Sequence, residues 1–148
     1  MLRFLMAALM VSALSPGVAA AEPPSPPTID CALGFAGLRA AAEALSGASW
    51  SQEGGYDIAT LFLPDAWRAQ IAFTEPGHPA HPAVTLRTQR KQVTEVWTAD
   101  SKGCGYGSQS QFAILMADMK SADTELTSVS RLEVERRKQG LSPLSPAP

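Results

Sequence analysis

The stretch YDIATLFLPDAWRAQIAF, residues 56–73, decides the fold class of this chain of 148 residues. Its first part, Tyr56–Leu63, is rich in strand-forming residues and apolar on both faces, which is typical of a strand inside a sheet. A turn follows at Pro64 and Asp65. Beyond the turn, apolar side chains occupy every second position, which predicts a half-buried strand; these positions are Trp67, Ala69, Ile71 and Phe73.

Two further strand candidates lie downstream, at Val84–Thr88 and Val93–Ala99. The loop before them, Glu75–Pro82, contains three prolines, which lack the N–H group that a sheet needs. We expect these two strands to form a hairpin with a basic tip at Arg90 and Lys91. Together with the first pair, they predict an antiparallel sheet of about four strands.

Helices are predicted on either side of the strands. Residues Thr28–Ser46 carry apolar side chains at helical spacing. After a turn-rich bridge at residues 100–107, Ser108 and Gln111 have the spacing of a capping box and begin a second helix. Residues 124–137 fit either a continuation of that helix or a fifth strand. We therefore predict an α+β fold: a small two-layer domain with an N-terminal helix, an antiparallel sheet, a second helix and a possible fifth strand.

The two ends of the chain differ in composition from the middle. Residues 1–21 contain a basic residue, an eleven-residue apolar run and three alanines at the end, which together predict a secretory signal peptide. Residues 22–27 contain four prolines and predict a stiff linker. Residues 140–148 carry three prolines and no charged side chain, and we expect a disordered tail. One globular domain is therefore predicted at residues 28–139.

The predicted signal peptide places the protein in the periplasm or outside the cell. A membrane-spanning helix needs about 20 apolar residues. No stretch of the sequence reaches that length, so we expect no transmembrane segment after cleavage. The formal net charge of −2 argues against nucleic-acid binding, which depends on neutralising phosphates with cationic side chains.

The chain contains two cysteines, Cys31 and Cys104. In an oxidising compartment, two cysteines most simply form a disulfide. We place Cys31 on the buried face of the first helix and Cys104 just before the second helix. The predicted bond would join both helical elements and stabilise the domain by about 4 kcal/mol through loop entropy.

The only two histidines, His78 and His81, lie three residues apart in the proline-rich loop. Neutral imidazole is a good ligand for zinc or copper, and Glu75 would add an oxygen. This spacing predicts a weak metal site. Because no third strong ligand lies nearby in the sequence, a solvated loop without a metal is the competing interpretation.

Three residues are candidates for contact with a partner. Trp50 lies between two serines, which favours exposure, and tryptophan is enriched at binding hot spots. Arg90 and Lys91 form the basic tip of the predicted hairpin and suit an acidic surface. We expect the partner to be an envelope or extracellular protein.

Motifs of catalysis and cofactor binding do not occur in the sequence. It contains neither G-x-S-x-G nor H-E-x-x-H, and neither of the phosphate-binding glycine patterns. We therefore expect no cofactor and a non-enzymatic protein.

The leading hypothesis is a small exported binding or accessory protein that presents a sheet edge or loops to a protein partner. Two alternatives remain open. One is a periplasmic metal-binding protein that uses His78 and His81. The other is a small exported hydrolase with Ser108 or Ser110 as its nucleophile.

Overall fold

The structure, a computed structural model, describes residues 24–140 of the chain. The signal peptide predicted at residues 1–21 lies outside the described residues, as do residues 22–23 of the predicted linker and residues 141–148 of the predicted tail. A 3₁₀ turn at Cys31–Leu33 comes first. The elements that follow are, in chain order, α1 Gly34–Glu43, β1 Ser49–Glu53, β2 Tyr56–Leu63, β3 Trp67–Thr74, β4 Ala83–Lys91, β5 Trp97–Gly105 and α2 Gln109–Gly140.

The five strands form one antiparallel meander, in which each strand pairs with the next along the chain. Gly54 and Gly55, both at positive φ, close the turn between β1 and β2. The register pairs Tyr56 with Thr74, so β2 and β3 run side by side over their full length. With one helix before the sheet and one after it, the predicted small α+β domain is confirmed.

The hydrophobic core lies between α1 and one face of the sheet. Every second residue of β3 points to this face, and Ile71 and Phe73 are only 3% and 1% exposed. Leu38 and Ala42 of α1 belong to the same buried cluster. The alternation that the sequence shows in β3 thus separates a core face from a more polar face.

The second helix, α2, lies against β5 on the opposite face of the sheet. Gly103 and Gly105 leave room for the ring of Phe112, because a Cβ atom on Gly105 would lie 2.5 Å from its Cγ atom. Gly103 and Gly105 of the predicted turn-rich bridge therefore belong to β5, and only Gly107 lies beyond the strand. Within residues 24–140, no helix has both the length and the apolar character needed to cross a membrane.

The possible fifth strand at residues 124–137 is wrong, since α2 continues through this stretch to Gly140. Thr127 and Ser130 are weak helix formers, but their hydroxyls accept hydrogen bonds from β5. Val134, one helical turn further, is only 6% exposed. Tertiary contacts therefore stabilise a helix that local propensity leaves undecided.

The first helix is shorter than predicted. It covers Gly34–Glu43 rather than Thr28–Ser46. Gly34 has a φ angle of 69°, which separates the 3₁₀ turn from the helix. Cys31 is consequently in that turn and exposed, and it does not lie on the buried face of a helix.

Two details of the strands also differ from the prediction. β4 includes Arg90 and Lys91, so the tip of the hairpin comes after them, at residues 92–96. β1 is a strand that the sequence pattern did not indicate, because all five of its residues are exposed and no apolar alternation marks it. It supplies the fifth strand at the edge of the sheet.

The last residues of the predicted linker lie against the domain. The indole Nε1 of Trp67 donates a hydrogen bond of 2.8 Å to the carbonyl oxygen of Pro24. Pro27 and Ile29 line a cleft of about 150 Å³ over β4 and β5 on the core face. Residues 24–29 thus cover part of the sheet that α1 leaves open.

Candidate functional site

The candidate binding surface is the outer edge of β1. In a hairpin with a two-residue turn, the flanking residues, here Glu53 and Tyr56, exchange their backbone hydrogen bonds. Bonded and non-bonded pairs then alternate along the strands. Trp50 and Gln52 therefore point their backbone N–H and C=O groups away from β2. No hydrogen bond within residues 24–140 reaches these outward groups.

The opposite edge of the sheet is partly covered by α2. The backbone N–H of Trp97 donates to the Ser130 hydroxyl at 2.8 Å, and the N–H of Ala99 donates to the Thr127 hydroxyl at 3.1 Å. Both hydroxyls come from α2, which lies along β5. Unpaired strand edges are templates for pairing with other chains. Helix α2 covers part of the β5 edge, whereas the β1 edge has no such cover among the described residues.

An aromatic and cationic cluster lies directly beside the open edge. The Trp50 ring stacks on Phe73 with 6.0 Å between centroids, and the Arg39 guanidinium carbon lies 4.3 Å from the Trp50 centroid. Trp50 nevertheless remains 38% exposed. The prediction of an exposed Trp50 is therefore confirmed, although the residue lies on a strand and not in a loop.

Two carboxylates hold Arg39 in place over the Trp50 ring. Arg39 donates to Glu43 at 2.7 Å and to Asp57 at 2.8 Å. These contacts raise the pKa of Arg39, and the hydrogen bond to Glu43 contributes most to the increase. The hydrogen bond from Arg39, helped by one from Gln52, holds the pKa of Asp57 below its ordinary value. Both shifts favour the charged forms of Arg39 and Asp57 beside the Trp50 ring.

Arg90 and Lys91, the other predicted partner residues, lie on β4 and are three strands away from Trp50. Lys91 contacts Glu95 at 2.7 Å and Asp65 at 3.6 Å. Arg90 is exposed and lines the cleft beneath residues 24–29. The structure does not bring these two cations together with Trp50 into one site.

The histidine rings both take part in contacts within the domain. The Nδ1 atom of His78 accepts a hydrogen bond from the backbone N–H of Ala80 at 3.1 Å. The Nε2 atom of the neutral ring therefore carries the proton, and it lies 2.7 Å from the Tyr56 hydroxyl. His81 Nδ1 lies 2.8 Å from the carbonyl oxygen of Thr74.

These histidine contacts tie the proline-rich loop to β2 and β3. No group of three or more potential metal ligands occurs within residues 24–140. The metal site at His78 and His81 stays a prediction, and a metal would have to compete with Ala80 or Tyr56 for either nitrogen of His78.

Ser108 and Ser110, the candidate nucleophiles, lie at the start of α2. Their hydroxyl oxygens are 3.1 Å apart, and Ser108 also accepts from the backbone N–H of Gln111 at 3.4 Å. This last bond is one of the two that the capping-box spacing predicts. Among the described residues, neither histidine forms a hydrogen bond with Ser108 or Ser110, and both bind other groups instead.

The predicted disulfide is confirmed: Cys31 and Cys104 are bonded, with 5.4 Å between their Cα atoms. Cys104 is 3% exposed and belongs to the core cluster. The bond joins the 3₁₀ turn before α1 to β5, so it fastens the N-terminal elements to the sheet. Such a bond is consistent with an oxidising location.

A groove of about 210 Å³ runs between α2 and the polar face of the sheet. Its walls are mainly apolar, with Ile58 and Ala72 on the sheet and Leu115 and Met119 on the helix. Arg87, which lines the groove, donates to Asp123 at 2.7 Å, and Asp123 is only 5% exposed. This ion pair anchors α2 on β4, and no sequence pattern predicts it, because its two residues are 36 positions apart in the chain.

One sequence signal points to the open edge. Gly54 and Gly55 directly precede the Tyr56–Leu63 strand, and a two-residue Gly-Gly turn is a hairpin signal that implies a partner strand before it. The hydroxyl caps on β5 have no comparable signal, because they depend on how α2 lies on the sheet. No family model, curated protein or solved structure matches this chain.

Proposed function

We propose that this protein is an exported, non-enzymatic binding protein that accepts an extended segment of a partner protein as an added strand beside β1. The observation that carries the proposal is the difference between the two sheet edges. Hydroxyls from α2 accept hydrogen bonds from two outward N–H groups of β5, whereas the outward groups of Trp50 and Gln52 are unpaired within residues 24–140.

Strand addition uses the backbone for affinity and alternate side chains for specificity. Trp50 and Gln52 each offer one N–H donor and one C=O acceptor, so an incoming strand can form four main-chain hydrogen bonds. On the core face of the sheet, its side chains would meet the Trp50 ring and the Arg39 guanidinium. An apolar or aromatic partner residue fits at this position.

The export part of the proposal rests on two observations. Residues 1–21 have the composition of a secretory signal peptide, and the domain carries a disulfide between Cys31 and Cys104. Both favour the periplasm or the extracellular space, where an envelope or extracellular protein would supply the extended segment.

The test compares two substitutions at one position. Gln52→Pro removes the outward N–H group and leaves the bonds to β2 intact, because proline is tolerated on sheet edges. Gln52→Ala removes the same side chain, including its 3.1 Å bond to Glu75, but keeps the N–H group. Mild crosslinking of tagged protein in its native envelope, followed by mass spectrometry, identifies the captured proteins.

We expect one dominant protein that wild type and Gln52→Ala capture and Gln52→Pro loses. Thermal unfolding of all three proteins shows that the fold is kept. A partner that Gln52→Pro captures as well as wild type does would mean that binding uses another surface.

The two alternative functions have their own tests. Loss of stoichiometric zinc or copper uptake in the variant with both His78→Ala and His81→Ala would support a metal-binding protein. Turnover of an ester, peptide or glycan that Ser108→Ala abolishes would support a hydrolase.

A further inference from the structure

We propose that the β1 edge also pairs with β1 of a second copy of this chain, in an antiparallel dimer whose two-fold axis passes beside Ser51. This inference rests on the open edge that the proposed function uses. It adds a regulatory consequence, since the second copy and an extended partner segment would compete for the same backbone groups.

The register follows from the direction of the backbone groups. With the axis beside Ser51, Trp50 lies opposite Gln52 of the second copy, and Gln52 lies opposite the second Trp50. All four of these residues point their backbone groups outward from their own β2 strand. Both pairs are therefore hydrogen-bonded pairs, and the interface gains four main-chain bonds.

Neighbouring registers give fewer hydrogen bonds. An axis beside Trp50 would need the backbone N–H of Ala48, which already donates to Leu45 at 3.4 Å. An axis beside Gln52 would place Trp50 opposite Gly54, which lies in the turn at a φ angle of 60°. Only the register centred on Ser51 pairs both Trp50 and Gln52 of each copy with residues of β1 in the other copy.

The charges of β1 are compatible with self-pairing. Its one charged residue, Glu53, lies opposite Ser49 of the second copy, so the two glutamates are at opposite ends of the interface. Like charges placed directly opposite would destabilise an antiparallel pair. The rest of the strand is uncharged and offers no electrostatic barrier to a second copy.

The dimer also closes the assembly. Two five-stranded sheets become one sheet of ten strands, and each outer edge is then a β5 strand capped by Thr127 and Ser130. At each of these edges, α2 holds the outward N–H groups of Trp97 and Ala99, which hinders the addition of a third copy. An isologous interface of this kind predicts a discrete dimer rather than a fibre.

A pair of cysteine substitutions tests the register. In the proposed dimer, the Cα atoms of the two Ser51 residues are about 4.5 Å apart, because they form a non-bonded pair. That distance lies within the range of a disulfide. The two Ser49 residues are separated by about 14 Å along the strands, at about 3.4 Å per residue. Ser49→Cys is therefore a matched control on the same exposed strand.

The experiment uses the mature chain with its Cys31–Cys104 bond intact, so the introduced thiol is the only one present. Oxidised glutathione accepts the two electrons and the protons of the two thiols. We expect Ser51→Cys to form covalent dimer about tenfold faster than Ser49→Cys. Sedimentation equilibrium at high micromolar concentration should show a dimer for wild type and a monomer for Gln52→Pro.

Equal crosslinking of the two cysteine variants, or a monomeric wild type, would overturn the dimer. The proposed function fails separately. If the wild type is monomeric and Gln52→Pro still loses a captured protein, the open edge binds another chain and not itself. If the dimer forms and no captured protein depends on residue 52, the edge serves self-association alone.

Discussion

The backbone N–H of Ala99 donates a hydrogen bond of 3.1 Å to the hydroxyl of Thr127, and this contact joins the outer edge of β5 to α2. Ser130 forms the same kind of bond with Trp97 at 2.8 Å. A helix therefore supplies the acceptors that a neighbouring strand would supply in a larger sheet. The asymmetry between this edge and β1 underlies both proposals.

The variant with both Thr127→Val and Ser130→Ala should uncap β5. Each substitution leaves one backbone N–H without its acceptor, which costs about 1 kcal/mol per bond. Urea unfolding measures the loss of stability, and light scattering should show assemblies larger than a dimer, because a second edge is now open. Ser128→Ala, on an adjacent exposed residue of the same helix, should change neither quantity.

Gly105→Ala should destabilise the packing of α2 on β5. The added Cβ atom would lie 2.5 Å from Cγ and 3.0 Å from Cβ of Phe112, which are not the mobile end of that side chain. Overpacking of this kind costs about 1–3 kcal/mol in unfolding free energy. Gly140→Ala, which meets no atom within 4 Å, is the control and should be nearly neutral. Equal stabilities for the two variants would contradict the described contact between Phe112 and β5.

The Cys31–Cys104 bond should contribute about 4 kcal/mol at most, from the loop entropy of a 73-residue separation. The variant with both cysteines changed to alanine should therefore unfold at a clearly lower urea concentration than the oxidised wild type. Cys31→Ser alone should behave similarly, since Cys31 is exposed. An unchanged urea midpoint in the double variant would show that the bond adds no stability to the native fold.

Asp57→Asn should make stability depend less on pH. The folded pKa of Asp57 lies below its ordinary value because Arg39 donates to the carboxylate. Its contribution is therefore complete at neutral pH and is lost as the pH falls through the folded pKa. We expect the stability gap between wild type and variant to be widest at neutral pH and to close in strong acid.

Urea unfolding across the acidic range measures this gap. Asp65→Asn is the control, because the Asp65 side chain is 89% exposed and lies 3.6 Å from its only cation, Lys91, among the described residues. A gap between wild type and Asp57→Asn that stays constant with pH would mean that the Arg39 contact does not lower the pKa of Asp57.

The strand pair at residues 56–73 shows which part of the fold the sequence pattern predicts correctly. Residues 56–63, which are apolar on both faces, match the interior strand β2. The alternating apolar side chains at residues 67–73 match β3, because one face of that strand is buried in the core and the other is more exposed. The same criterion missed β1, since an edge strand exposed on both faces carries no alternation. It also left residues 124–137 undecided, because their local propensity is weak.

The sequence alone determined the α+β class, the interior strands and the pairing of Cys31 with Cys104. The strands follow from the spacing of apolar side chains within short segments, and the disulfide follows from the number of cysteines in the chain. Only the tertiary structure decided that α2 continues to Gly140 and that two of its hydroxyls accept hydrogen bonds from the outer edge of β5. It alone also showed that Arg39 lies over Trp50 beside an open strand edge. These features depend on contacts between elements far apart in the chain, and a one-dimensional pattern does not specify which backbone groups remain unpaired once the sheet has formed.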